Sequence, residues 1–133
     1  MGTRSLTYVF DQNYDAIVCM YRQFDGYPSG HGIELAEFLL SGEVVNGIPL
    51  NANKRLFNGM GCLAAQMIDS FKEDAGGIYL HAPSLDRDDW QDYEYHVSEN
   101  RVIVYAGTRS QGNIIFDGCW SKFAEFCNQE ELA

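Results

Sequence analysis

The stretch TRSLTYVF-DQNYD-AIVCMYRQF, Thr3 to Phe24, decides how this chain begins to fold. Residues 3–10 alternate and are rich in β-branched and aromatic types, the pattern of a strand. Asp11-Gln12-Asn13-Tyr14-Asp15 is turn chemistry and residues 16–24 read as a second strand, so the two predict an N-terminal hairpin. A turn centred near Asn13 pairs residues whose numbers sum to 26, which sets Arg4 opposite Arg22. Directly opposed side chains share a face, with Cβ atoms about 5 Å apart. Two guanidiniums at that spacing repel unless an anion lies between them. That anion is a ligand phosphate or carboxylate, which arginine forks grip well, or it is Asp25 or Glu34 of the adjoining segment. A slip of one residue in the register would part the pair.

The second strand runs into YRQFDGYPSGHG, residues 21–32. Asp25-Gly26 and Pro28-Ser29-Gly30 are turn sequences, and Pro28 biases Tyr27 towards an extended conformation. Ser29 is positioned to cap a helix starting near His31, whose first N–H groups favour an anion. Tyr27 and His31 are then expected at the rim, with Gln23 close by, as hydrogen-bonding groups. The candidate ligand-binding set is therefore Arg4, Arg22, Gln23, Asp25, Tyr27 and His31.

Outward from this segment, residues 33–40 are rich in helix formers, and 42–58 read as irregular with two short apolar patches. Met60, Leu63, Ala64, Met67, Ile68 and Phe71 form one apolar stripe at helical spacing, with Asn58 as the expected N-cap. Residues 78–82 suggest a strand, 93–97 and 102–106 a second hairpin, and 114–116 a short further strand. Asp117 is expected to cap a last helix carrying Trp120, Phe123, Ala124 and Cys127. The prediction is a single α+β domain over residues 1–133, an antiparallel sheet from two β-hairpins with about three helices in a second layer.

A length of 133 residues with 46% hydrophobic content supports one core. No stretch is apolar for the roughly 18 residues a membrane span needs, and no signal peptide opens the chain, so a cytoplasmic protein without membrane contact is expected. The net charge of −10 disfavours direct nucleic-acid binding. Cys19, Cys62, Cys119 and Cys127 are widely spaced within apolar runs and read as small buried hydrophobes. His31, His81 and His96 are not at metal-ligand spacing, and His96 shares strand parity with Asp92 and Glu94, the expected solvent side. Residues 86–92 lack the glycine and terminal acid of a calcium loop and read as a solvated loop. Gly59-Met60-Gly61 opens the clearest helix without a nucleotide fingerprint. No cofactor is expected.

The segments MGTRSLT, YRQFDGYPSGHG and FNGMGCLAAQ resemble a family of small uncharacterised proteins from phages, bacteria and some fungi. Its members carry Thr-Arg near the start and a Tyr-Arg-(Gln or His)-aromatic-Asp-Gly-Tyr-Pro segment. The resemblance covers roughly the first half of the chain. It implies that Thr3, Arg4, Arg22, Gln23, Asp25, Gly26, Tyr27 and Pro28 act as one motif and suggests a phage or marine microbial origin, but it brings no activity. Two functions fit. One is a small binding or regulatory protein holding an anionic ligand or a protein partner on the Arg4, Arg22, Asp25, Tyr27 and His31 surface. The other is a small hydrolase or transferase with His31 and Asp25 as acid–base groups.

Overall fold

Alternation in the opening segment produces strands β1 (Ser5–Phe10) and β2 (Ala16–Arg22), paired antiparallel across the turn at residues 11–15. The computed structural model describes residues 2–47 and 54–132. Beside the turn the pairing follows the expected sum, with Phe10 opposite Ala16. A β-bulge then intervenes. Val9 faces Val18, leaving Ile17 unmatched, and the shifted register continues to Ser5 opposite Arg22. Successive side chains of a strand point to opposite faces, so Arg4 does not share a face with Arg22, contrary to the expectation.

The α+β class is as expected, with helices α1 (Ile33–Leu40), α2 (Met60–Phe71) and α3 (Trp120–Leu132). The sheet is larger than two hairpins. β5 (Ile78–His81) pairs with β2, β6 (Tyr93–Ser98) lies between β1 and β7 (Arg101–Ala106), and β8 (Ile114–Gly118) forms the far edge. The order is β5-β2-β1-β6-β7-β8, antiparallel throughout except at the central β1–β6 ladder. A parallel ladder needs a long connection, and the whole chain between β1 and β6 supplies it. β3 (Gly42–Val45) and β4 (Arg55–Asn58) make a separate two-stranded parallel sheet where irregular chain was expected. Residues 48–53 of that stretch lie outside the described residues.

All three helices pack on one face of the large sheet. Leu35, Leu39, Leu63, Met67, Phe123 and Cys127 meet Val9, Met20, Tyr95, Val97 and Val104 in one core. The opposite face carries Leu6, Tyr8 and Cys19, with Phe10, Tyr21 and Leu85 packed around them. Two expected helix caps do other work. Gly59, at φ +83°, precedes α2, while the Asn58 side chain accepts the N–H of Gly47 at 2.9 Å. Asp117 sits within β8, where its carboxylate accepts two N–H groups of Arg101 at 2.8 and 2.7 Å. None of the helices among the described residues is long and apolar enough to cross a membrane.

Candidate functional site

The segment after β2 folds tightly over the start of β1. Asp25 adopts a left-handed φ of +61°, and Gly26 donates its N–H to the Thr3 carbonyl at 2.9 Å. The Gly26 carbonyl accepts the buried Tyr95 hydroxyl at 2.7 Å. A Cβ at Gly26 would lie 2.8 Å from Ser5 Cβ and 2.9 Å from the Arg4 carbonyl carbon, so only glycine fits. Gly26→Ala should therefore cost about 2 kcal/mol in thermal unfolding, the scale of a core overpacking defect. An unchanged melting temperature would show that this bend yields freely.

Pro28–Gly32 then form a π-helical turn running straight into α1, where a Ser29-capped helix start was expected. Its N-cap position is Tyr27, without a side-chain cap, and the His31 N–H donates to the Asp25 carbonyl at 2.8 Å. The wide turn swings His31 inward. Rather than standing at the rim, the imidazole is fully buried, edge-on to Tyr95 and beside Phe71.

The partners of His31 define its protonation. Arg22 Nη1 lies 3.2 Å from Nδ1, and a guanidinium only donates, so Nδ1 carries the lone pair. Nε2 then bears the proton and donates to Thr7 Oγ1 at 2.7 Å. Burial, with the Arg22 charge second, pushes the pKa of His31 down to about 3, consistent with a neutral ring. Arg22 is held on two further sides: Nε donates to the Phe24 carbonyl at 2.7 Å, and Nη1 also pairs with the Glu34 carboxylate. The result is a chain of contacts from Thr7 in the core through His31 and Arg22 to Glu34 at the surface.

Of the six expected residues, Arg22 and His31 thus meet directly. Asp25 and Tyr27 meet each other, the phenol donating to Asp25 Oδ1 at 3.2 Å, and the Asp25 charge raises the Tyr27 pKa. Gln23 is half-buried and tied through its N–H to the Gly77 carbonyl at 2.9 Å. Arg4 contributes backbone contacts to Asp92.

Arg22 also lines a cleft of about 560 Å³ between α1, the end of α2 and the start of β5. Phe24, Phe38 and Phe71 are its aromatic walls, and Arg55 lies over the Phe38 ring at 5.3 Å. Arg22 Nη2 has no acceptor among the described residues, and its side chain keeps 16% exposure. The expected residues Arg4, Gln23, Asp25, Tyr27 and His31 do not line this cleft. No local signal joins Arg55 and the end of α2 to Arg22, because they come from segments remote in sequence.

A second polar cluster occupies the opposite face. His96 and Glu94 share parity as expected, but they are buried rather than solvated, at 7% and 0% exposure. The Glu94 carboxylate accepts His96 Nε2, Gln91 Nε2 and the Arg109 N–H, each at 2.9 Å. Tyr8, Phe10 and Tyr105 surround the imidazole at ring distances of 5.1, 5.3 and 4.8 Å. The loop over residues 82–92 folds down here, with Ser84 accepting the Tyr8 hydroxyl at 2.8 Å and Asp89 bound by Arg87 and His81. The Arg87 bond, followed by that of His81, holds the Asp89 carboxyl below the usual range. Burial pushes the Cys19 thiol up to about 12, away from thiolate chemistry. Cys62 and Cys119 are half-buried, more open than expected. Among the described residues no three His, Cys, Asp or Glu side chains gather as metal ligands.

Compared with protein-family models, curated proteins and solved structures, the chain matches none.

Proposed function

We propose that this chain is a small binding or regulatory protein that holds an anionic group in the cleft at Arg22. The observation that carries this reading is the fixed guanidinium. Three groups orient Arg22, from Phe24, His31 and Glu34, while Nη2 remains for a guest in a cleft large enough for a metabolite. An arginine already held in place loses little freedom on gripping a carboxylate or phosphate, so more of the contact energy appears as affinity. A small ligand and an acidic side chain of a protein partner present the same chemistry here.

Acid–base catalysis by His31 and Asp25 has weaker support. The lone pair of His31 is occupied by Arg22, its proton by Thr7, and the Asp25 carboxylate accepts from Tyr27. A general base needs a free lone pair within reach of the substrate, and neither group brings one to the cleft.

Titration of isotope-labelled protein with succinate and inorganic phosphate at low ionic strength tests the reading by NMR. The Arg22 Nε–H and the Phe24 and Phe71 amides should shift saturably. Arg22→Lys, which keeps charge but loses the fork, should bind about ten-fold more weakly, as loss of one charge-assisted bond requires. Absence of shifts with both anions, or equal binding by a folded Arg22→Lys protein, would end the proposal.

A further inference from the structure

The charge lining the cleft conflicts with a purely anionic guest. Two cations, Arg22 and Arg55, face four carboxylates, those of Glu34, Glu37, Glu73 and Asp74. Glu34 is committed to Arg22, but Glu37 and Glu73 have no basic partner among the described residues. Ser41 and Ser70, at the C-terminal ends of α1 and α2, also line the cleft. Helix C-termini present carbonyl groups with partial negative charge, which favour cations. An aromatic wall suits a cation as well, and Arg55 over Phe38 already displays that mode of contact.

We infer that the guest is zwitterionic, a small guanidino or amino carboxylate whose anionic end meets Arg22 and whose cationic end lies among Glu37, Glu73 and Asp74 beside the phenyl rings. This rests on the anion-holding role of Arg22 proposed above and adds the second half of the ligand. Both ends are needed for the balance. A dianion would meet three carboxylates with no counter-charge of its own, and a bare cation would leave the Arg22 Nη2 edge unused. The Phe24, Phe38 and Phe71 walls accommodate the methylene chain that joins the two ends.

Three probes separate the contributions: L-arginine carries both ends, agmatine lacks the carboxylate, and succinate lacks the cation. Calorimetry at low ionic strength, with amide shifts to locate binding, should show arginine at least about ten-fold tighter than either of the others. Glu73→Gln combined with Asp74→Asn should weaken arginine about ten-fold and strengthen succinate by relieving repulsion. Succinate binding as tightly as arginine would overturn the zwitterion while leaving the anion site intact. Agmatine matching arginine would overturn the zwitterion, because the carboxylate would then gain nothing from Arg22. Silence of the cleft resonances with all three probes would overturn both the zwitterion and the anion site.

Discussion

The protein should lose about 1.4 kcal/mol of stability for each pH unit below about 6.5 through His31 alone. The folded ring titrates near 3 because it is buried beside a guanidinium, against 6.5 for a free histidine. Between these values the unfolded chain binds a proton that the folded chain refuses, so the contribution is complete above 6.5 and declines as pH falls towards 3. Carboxylates add slopes of their own, so the measurement is a comparison. Urea unfolding of the wild type and of His31→Gln at pH 6.5 and 5.0 should show the wild type losing about 2 kcal/mol more over that interval. Glutamine can still donate to Thr7 and accept from Arg22, which keeps the variant folded for the test. Equal losses in the two proteins would mean that the imidazole takes up its proton inside the fold, and the tautomer derived from Arg22 would be wrong.

Glu94→Ala should be the most damaging single change on the other face, costing about 3–5 kcal/mol in urea unfolding. The carboxylate is wholly buried and accepts three donors, from His96, Gln91 and Arg109. Removing it leaves His96 Nε2 and the Arg109 N–H without an acceptor inside the protein and Gln91 Nε2 with the Arg87 carbonyl alone, and each stranded donor costs about 1–3 kcal/mol. Glu94→Gln is the sharper variant. It preserves volume and, with Oε1 facing Gln91 and Arg109, turns its N–H₂ group on His96 Nε2, which must then pass its proton to Nδ1, so a smaller loss of about 1–3 kcal/mol is expected there. Gln91 and the Arg109 N–H belong to the two connections that close over this face. Amide exchange should therefore accelerate across residues 84–92 and 108–111 before it does in the central strands. A loss under about 1 kcal/mol with unaltered protection of those loops would show that Glu94 is not what holds them down.

Much of the element order is legible locally. The apolar stripe of α2 appears because helical contacts recur every three or four residues, so the pattern is complete within one segment. The N-terminal and second hairpins likewise carry their alternation and turn residues in continuous sequence. β3 and β4 are not legible, since four residues are too few for alternation to stand out and their pairing joins segments more than ten residues apart. Among the candidate residues, contact between Arg22 and Glu34 is one of the two counter-ion pairings the sequence offers. The inward rotation of His31 depends on a π-helical turn that its residues do not announce.

Neighbouring residues are enough to specify the class of fold, the positions of its principal helices and strands, and an arginine at the exit of β2 beside a glycine-rich bend. These follow from chemistry repeated over neighbouring residues. The side of the sheet each cation takes emerges only on folding, because a single unmatched residue at Ile17 reverses strand parity for everything beyond it. The burial of Glu94 and His96 emerges in the same way: alternation marks a polar face, and only loops arriving from elsewhere in the chain turn that face into a second interior. The cleft has the same origin, since its arginines and carboxylates are brought together by packing rather than by spacing.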